Sequence, residues 1–144
     1  EPTMVELDDN VLLLNARNRT GKRALVKSQD GGKSWSEITY HEELVEPGCQ
    51  GSLIRHSIDG KSLLIFSNPK NEKRRNMTVS VSADNGKTWP VTKVIYEGPS
   101  AYSCLTILPN GKIGLLYENG DKSPYEKISF TTLDVNWFLN KLKI

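Results

Sequence analysis

The sequence predicts an all-β chain made of about three β-propeller blades, with Asp-containing turns and a short C-terminal helix. Three observations support this prediction. A strand–turn–strand unit recurs about every fifty residues, a Ser-x-Asp-x-Gly-x-Ser/Thr-Trp motif occurs twice, and an amphipathic segment follows the last predicted strand. Short strands that repeat at this period are typical of propellers, in which each blade is a small antiparallel sheet.

The strand–turn–strand unit predicts the inner hairpin of each blade. Its copies span residues 3–15, 52–68 and 103–119. Asp-Gly and Asn-Gly steps between apolar runs favour tight hairpins, because these residues tolerate the positive φ that such turns require. The predicted turns are Asp8-Asp9-Asn10, Ile58-Asp59-Gly60-Lys61 and Pro109-Asn110-Gly111-Lys112.

The repeated Asp motif predicts the turn between the two outer strands of a blade. Each copy follows a segment of alternating apolar residues. Asp30 and Asp84 are expected to accept backbone N–H groups, while a glycine in each motif adopts a conformation closed to other residues. Trp35 and Trp89 are expected to fold back into the core.

The third blade is predicted to end differently. Residues 127–133 form its expected outer strand, and no Asp motif follows. Residues 134–142 predict a short amphipathic helix whose Trp137 and Phe138 pack on the blade. A propeller needs about four to eight blades to close its ring. We therefore expect further blades from a second chain or from an upstream part of the same polypeptide.

Composition excludes several classes of protein. The 144 residues are 37% apolar and 25% charged, and no apolar run approaches the roughly 20 residues that span a bilayer. The net charge of +2 is spread along the chain and gives no electrostatic case for nucleic acid. Cys49 and Cys104 are too few for a disulfide framework or a cysteine-only metal site. We expect no metal and no cofactor.

The two Asp motifs resemble the Asp boxes of bacterial exo-α-sialidases, and four other residues sharpen the resemblance. Glu1, in the context Glu-Pro-Thr, is similar to the catalytic glutamate of that family. Tyr102, in Ala-Tyr-Ser-Cys-Leu, is similar to its nucleophilic tyrosine. Arg17, in Asn-Ala-Arg-Asn, and Arg74, in Arg-Arg-Asn-Met-Thr, are similar to two of its three substrate-binding arginines.

The resemblance implies that residues 1–144 are the C-terminal half of a sialidase propeller, with about three of its six blades. Such an enzyme is a retaining exo-α-sialidase that hydrolyses terminal sialic acids from glycoconjugates. The family pattern also needs a first arginine and an aspartate acid/base, both N-terminal to the residues here. We therefore expect a partner N-terminal half, no turnover by this chain alone, any secretion signal in a longer precursor, and an extracellular or periplasmic location.

The chemistry of sialic acid explains these residue types. The substrate carries a carboxylate on its anomeric carbon, and the guanidinium groups of Arg17 and Arg74 suit that anion because they bind it bidentately without losing charge. An anionic nucleophile would be repelled there, whereas Tyr102 approaches as a neutral phenol. A phenol with a pKa near 10 needs a nearby base, and Glu1 is the candidate.

Each of these assignments has a structural alternative. Tyr102 is alternatively a blade-filling aromatic, and Glu1 a frayed terminus. The two candidate arginines are alternatively solvated surface charges. A register error of one residue would also exchange Arg74 with its neighbour. Arginines interpreted as surface charges are Arg19, Arg23 and Arg75.

Gln50 opens the inner strand of the middle blade at a position equivalent to Glu1 and Tyr102. It is a candidate for contact with the glycerol or amide groups of the sugar. Glu118 is interpreted as structural. Two other functions stay open: an intramolecular trans-sialidase with the same residues, and a non-catalytic Asp-box propeller that binds glycans or proteins.

Overall fold

The computed structural model describes residues 1–58 and 60–143, so Asp59 in the second predicted turn lies outside the described residues. Two antiparallel sheets contain all the described strands, and one helix follows. The first sheet, in the order β1-β2-β3-β4, contains Pro2–Glu6, Leu12–Ala16, Lys22–Ser28 and Thr39–Val45. The second, in the order β10-β9-β8-β7-β6-β5, contains Ser52–Ile58 (β5), Lys61–Pro69 (β6), Arg75–Ser82 (β7), Val91–Ile107 (β8), Ile113–Asn119 (β9) and Lys127–Leu133 (β10).

The predicted all-β architecture is confirmed. The first sheet is one four-stranded blade, and its inner hairpin turns through a single 3-10 turn at Asp8–Asn10. Asp9 and Asn10 both have positive φ, as a tight turn requires. The helix α1, Val135–Leu142, also forms as predicted: Asp134 caps it by accepting from the backbone N of Asn136, and Phe138 is fully buried.

The second and third blades share one strand, which the sequence does not predict. The first half of β8 pairs with β7 as the outer strand of the second blade, and its second half pairs with β9 as the inner strand of the third. Residues 91–107 contain no turn of the kind that separates the other strands, so the chain stays extended for 17 residues. Register shifts on both sides of the strand accommodate the change of partner.

The middle blade is buried on both faces. On β6, Leu63 and Ile65 face a core shared with the third blade and α1, whereas Leu64 and Phe66 face a core shared with the first blade. This follows from the alternation of side chains along a strand, and it explains the nearly continuous apolar run in β6.

The two Asp motifs form the predicted turns, joining β3 to β4 and β7 to β8. Asp30 accepts from the backbone N of Ser34 at 2.9 Å, and Asp84 accepts from that of Thr88 at 2.9 Å. Gly32 and Gly86, which occupy equivalent positions in the two motifs, have φ of 89° and 80°. Backbone angles in this range favour glycine, which has no Cβ.

The prediction that both motif tryptophans are buried is wrong for the first motif. Trp89 is 2% exposed and packs edge-on against Phe66, with ring centroids 6.2 Å apart, in the core between the first two blades. Trp35 is 41% exposed. The difference follows from neighbours, because the first blade packs against Trp89 and no described element covers Trp35 in the same way.

No described helix is long and apolar enough to cross a membrane. Cys49 is buried, Cys104 is exposed, and neither forms a disulfide with the other.

Candidate active site

The inner strands of the three blades start at equivalent points around one rim. The backbone N of Leu53 donates to Thr3 Oγ1 of the preceding blade at 3.3 Å, and the backbone N of Leu105 donates to Ser52 Oγ at 3.0 Å. These matching bonds align Thr3, Ser52 and Cys104 as equivalent positions. The residues two places earlier on each strand are Glu1, Gln50 and Tyr102.

Glu1, Tyr102 and Arg17 meet at this rim. Tyr102 Oη donates to Glu1 Oε1 at 2.6 Å, although the two residues are 101 positions apart. Arg17 Nη1 donates to Glu1 Oε2 at 2.8 Å and to Tyr102 Oη at 3.3 Å. A phenol, a carboxylate and a guanidinium group thus form one hydrogen-bonded cluster.

The hydrogen bonds within the cluster keep the shared proton on Tyr102. The hydrogen bond from Tyr102 lowers the pKa of Glu1 below its ordinary value, outweighing partial desolvation, and the Arg17 bond lowers it further. The same Tyr102–Glu1 bond raises the pKa of Tyr102, with desolvation acting in the same direction. At neutral pH the resting cluster is therefore a neutral phenol donating to an ionised carboxylate.

A bulge in β8 presents Tyr102. Ala101 and Tyr102 lie opposite the single residue Glu118 of β9, between the paired positions Ser100 and Ser103. A bulge of this kind removes a backbone partner and redirects a side chain. Glu118 Oε2 accepts the N–H of Tyr102 at 3.0 Å, so its carboxylate satisfies the backbone group that the bulge exposes.

Arg17 is positioned by the hairpin that also positions Glu1. The backbone N of Arg17 donates to the carbonyl of Glu1 at 3.3 Å, which extends the β1–β2 pairing by one residue pair. The Arg17 side chain is about one-third exposed. Burial lowers its pKa, but the hydrogen bond and the negative charge of Glu1 outweigh burial, so the net shift is upward.

Arg74 faces the Tyr102 side of the molecule and Arg75 does not. Arg74 Cζ lies 5.8 Å from the centroid of the Tyr102 ring, and its Nη1 and Nη2 donate to Tyr125 Oη at 2.6 Å and to the carbonyl of Gly48 at 3.2 Å. Arg75 instead donates to the carbonyl of Glu97 and lines a separate polar cleft. Geometry therefore favours Arg74 as the arginine near the cluster.

Gln50 is engaged by the backbone of the next blade. Its Nε2 donates to the carbonyl of Ser103 at 3.0 Å, and its Oε1 accepts from the N–H of Ser103 at 3.0 Å. Both ends of the amide are thus used to hold the residue that follows Tyr102. The predicted contact between Gln50 and a sugar stays a prediction.

A family model described as "BNR repeat-like domain" matches residues 1–115. The chain belongs to this family. It is 39% identical over 142 residues to a sialidase of Micromonospora viridifaciens, covering 92% of this chain and 22% of that protein. It is 42% identical over 129 residues to a sialidase of Bacteroides fragilis, covering 83% of this chain and 24% of that protein.

The crystal structure of the NanB sialidase from Streptococcus pneumoniae is 31% identical to this BNR-repeat chain, with a TM-score of 0.84 over 94% of this chain and 23% of that one. The sialidase resemblance predicted from the motifs and the propeller fold are both confirmed. The chain spans less than a quarter of the length of each of the relatives described here.

Sequence reasoning missed a buried ion pair beneath the rim of this BNR-repeat chain. Arg23, interpreted as a surface charge, is fully buried, and so is Glu46. The prediction for Arg23 is wrong because β3 alternates its side chains, which puts Arg23 on the same inward face as Leu25. That period-two pattern was the available signal. Nothing in the sequence singles out Glu46 or Tyr125.

Proposed function

We propose that this chain supplies part of the active site of a retaining exo-α-sialidase that hydrolyses terminal sialic acids from sialylated glycoconjugates. The observation that carries the proposal is the 2.6 Å hydrogen bond from Tyr102 Oη to Glu1 Oε1, with Arg17 donating to both side chains. A phenol paired with a base and flanked by a fixed cation is the arrangement that a tyrosine nucleophile needs.

In this proposal Arg17 and Arg74 bind the carboxylate of the substrate. Their positive charges cannot be lost at any physiological pH, and a guanidinium group offers parallel N–H donors that match a carboxylate. Arg17 also contacts both Glu1 and Tyr102, so the group that binds the substrate anion is the group that orients the reacting pair. Binding and chemistry are thereby coupled through one side chain.

The proposed reaction has two steps. In the first, the Tyr102 oxygen bonds to the anomeric carbon as the glycosidic C–O bond breaks. The phenolic proton passes to Glu1, and the leaving oxygen takes a proton from an acid outside this chain. In the second, a water oxygen bonds to the anomeric carbon, the Tyr102 oxygen leaves and regains its proton from Glu1, and the water returns a proton to the conjugate base of that acid. Two displacements retain the anomeric configuration.

The proton positions suit this sequence of events. The pKa of Glu1 is lowered and that of Tyr102 is raised, so the resting phenol keeps its proton and stays neutral toward the anionic substrate. The proton moves only as the new C–O bond forms. The acid, the third arginine and the remaining blades are proposed to come from an N-terminal half, and the enzyme is proposed to act outside the cytoplasm, where sialylated glycans are displayed.

The decisive experiment is Tyr102→Phe in the complete protein. Removing the hydroxyl removes the nucleophile, so release of a fluorogenic leaving group from a sialoside is expected to fall by roughly 1,000-fold or more. Tyr40→Phe, which changes an exposed tyrosine on the first blade, is the matched control and should retain full turnover. Mass spectrometry of the wild type with a slow fluorinated sialoside should find the added mass on the peptide that contains Tyr102.

Undiminished turnover in Tyr102→Phe would reject the tyrosine nucleophile. If the wild type binds sialosides without cleaving them, and Tyr102→Phe binds equally well, the chain belongs instead to a glycan-binding propeller. NMR of the released sugar separates hydrolysis from intramolecular transfer, since only hydrolysis gives free sialic acid.

A further inference from the structure

The Arg23–Glu46 pair lies directly beneath the rim that carries the candidate site. Both side chains are 0% exposed, and Arg23 Nη1 lies 3.9 Å from Glu46 Oε2. Arg23 Nε donates to Asn15 Oδ1 at 2.6 Å, Nη1 donates to the carbonyl of Cys49 at 2.7 Å, and the guanidinium lies 5.3 Å from the centroid of the Phe66 ring. Burial lowers the pKa of Arg23 to about 10, and the charge of Glu46 opposes that shift.

Burying two charged side chains in a core costs desolvation free energy. Apolar residues of similar volume often replace a buried ion pair without loss of stability. The pair therefore calls for an explanation in terms of what its polar atoms hold in place.

The two oxygens of Glu46 hold two separate loops. Oε1 accepts from the backbone N of Asn18 at 2.9 Å, and Oε2 accepts from the backbone N of Cys49 at 2.8 Å. Asn18 follows Arg17 in the loop after β2. Cys49 lies between Gly48, whose carbonyl accepts from Arg74, and Gln50.

The residues that donate to the Glu46 carboxylate, Asn18 and Cys49, are thus direct sequence neighbours of two side chains at the rim and of one backbone carbonyl. The loop at Asn18 carries Arg17, and the loop at Cys49 carries Gln50 and the carbonyl that receives Arg74. An apolar side chain could fill the space of Glu46 but could not accept two N–H groups from segments far apart in sequence.

We propose that Glu46 is a positioning residue, with Arg23 as its buried counter-ion, that fixes Arg17 and the Gly48–Gln50 segment relative to Tyr102. The residue contacts neither substrate nor reacting atoms. Its role in catalysis rests on the proposed function, whereas its role in placing Arg17 does not.

The test is Glu46→Gln in the complete protein, studied by crystallography and by sialoside kinetics. The amide keeps one acceptor but loses the second acceptor and the charge beside Arg23. We expect Arg17 to move away from Tyr102 Oη, from which its Nη1 now lies 3.3 Å, and kcat/KM to fall by about 10- to 100-fold, as sub-ångström to 1 Å misplacement of a binding group does.

Leu44→Ala is the matched control, because Leu44, two residues before Glu46 at the end of β4, is also fully buried but its side chain makes no hydrogen bond to the rim. It should lower the unfolding temperature, leave Arg17 in place and keep kcat/KM near the wild-type value. Glu46→Asp keeps the charge but shortens the reach, and an intermediate loss is expected. If Glu46→Gln does not fold, the Asp variant decides by the same two measurements.

The inference is overturned if Arg17 keeps its bonds to Glu1 and Tyr102 in the Glu46 variant and kcat/KM changes no more than in Leu44→Ala. If even the wild type does not cleave sialosides, the crystallographic comparison still decides the matter. Displacement of Arg17 then supports the positioning role of Glu46 while the proposed function fails.

Discussion

Glu1, Gln50 and Tyr102 occupy equivalent positions at the start of neighbouring inner strands, but their side chains make different contacts. Glu1 and Tyr102 point to each other and share a proton-bearing hydrogen bond, whereas Gln50 pairs with the backbone of Ser103. Gln50 therefore acts on the candidate site through the backbone of the residue that follows Tyr102. Together with Glu118, which accepts the N–H of Tyr102, it holds Tyr102 and the residue that follows it.

Replacing Gln50 by Glu tests this interpretation. A carboxylate accepts from the N–H of Ser103 but cannot donate to its carbonyl, so the segment that carries Tyr102 loses one of two anchors. Because the nucleophile is then misplaced, we expect kcat of the complete protein to fall by about 10- to 100-fold with little change in KM. Gln29→Glu, at an exposed position of the first Asp motif, should change neither constant. A higher KM with kcat unchanged would favour the sugar contact predicted from the sequence.

The residues of the rim were accessible to sequence reasoning, but Glu46 beneath it was not. Glu1, Arg17, Arg74 and Tyr102 stand in recognisable local contexts, and the spacing of the blades brings their strands together. Glu46 has no such context, because its importance arises from two backbone groups that only the folded chain brings to it. Arg23 did carry a signal in the sequence, because the alternation of side chains along β3 puts it on the inward face with Leu25.

Among the elements, turns were predicted better than strand ends. The hairpin at Asp8–Asn10 and both Asp motifs depend on local backbone chemistry, and they form as expected. The continuity of β8 depends on which blade receives each half of the strand, and the exposure of Trp35 depends on the neighbour of the first blade. Neither neighbour can be read from the residues of the element itself.

The first Asp motif predicts a pH dependence of stability. Asp30 accepts from the hydroxyl and backbone N of Ser34 and from the hydroxyl of Ser28, and the Ser34 hydroxyl bond is the largest cause that lowers its pKa to about 2. An unfolded Asp titrates near 3.9. The folded state therefore binds the proton less readily, and the stabilisation is complete above about pH 4 and is lost as the pH falls toward about 2.

Thermal unfolding of the chain and of Asp30→Asn, followed from about pH 6 down to about pH 2, tests this pH dependence. The wild type should unfold at a higher temperature than the variant above about pH 4, and the difference should shrink toward zero as the pH approaches about 2. Glu37→Gln, an exposed change in the same connection, should follow the wild-type curve. A difference that stays constant with pH would show that the Asp30 carboxylate is not the titrating group.

At the scale of the whole molecule, the three blades leave an apolar row on each outer face. On the first blade, Met4, Leu14 and Val26 pair across β1, β2 and β3, on the face opposite Leu13 and Leu25 of the shared core. Cys104, Leu116 and Phe130 pair across β8, β9 and β10 on the third blade, on the face opposite Leu105 and Leu115. Faces like these are covered by neighbouring blades in a closed propeller.

We therefore expect this chain to need an N-terminal half for turnover. Expressed alone it should release no fluorogenic leaving group from a sialoside, whereas co-expression with the rest of its propeller should give activity and a single complex by size-exclusion chromatography with light scattering. Phe130→Glu, at a side chain that is 57% exposed, should leave the chain folded but prevent complementation, because a charge would be buried against the neighbouring blade. Gln29→Glu, in the exposed turn of the first Asp motif, adds the same single negative charge and should complement normally. Full turnover by the isolated chain would contradict this expectation. It would mean that the general acid lies within this chain and not in the N-terminal half.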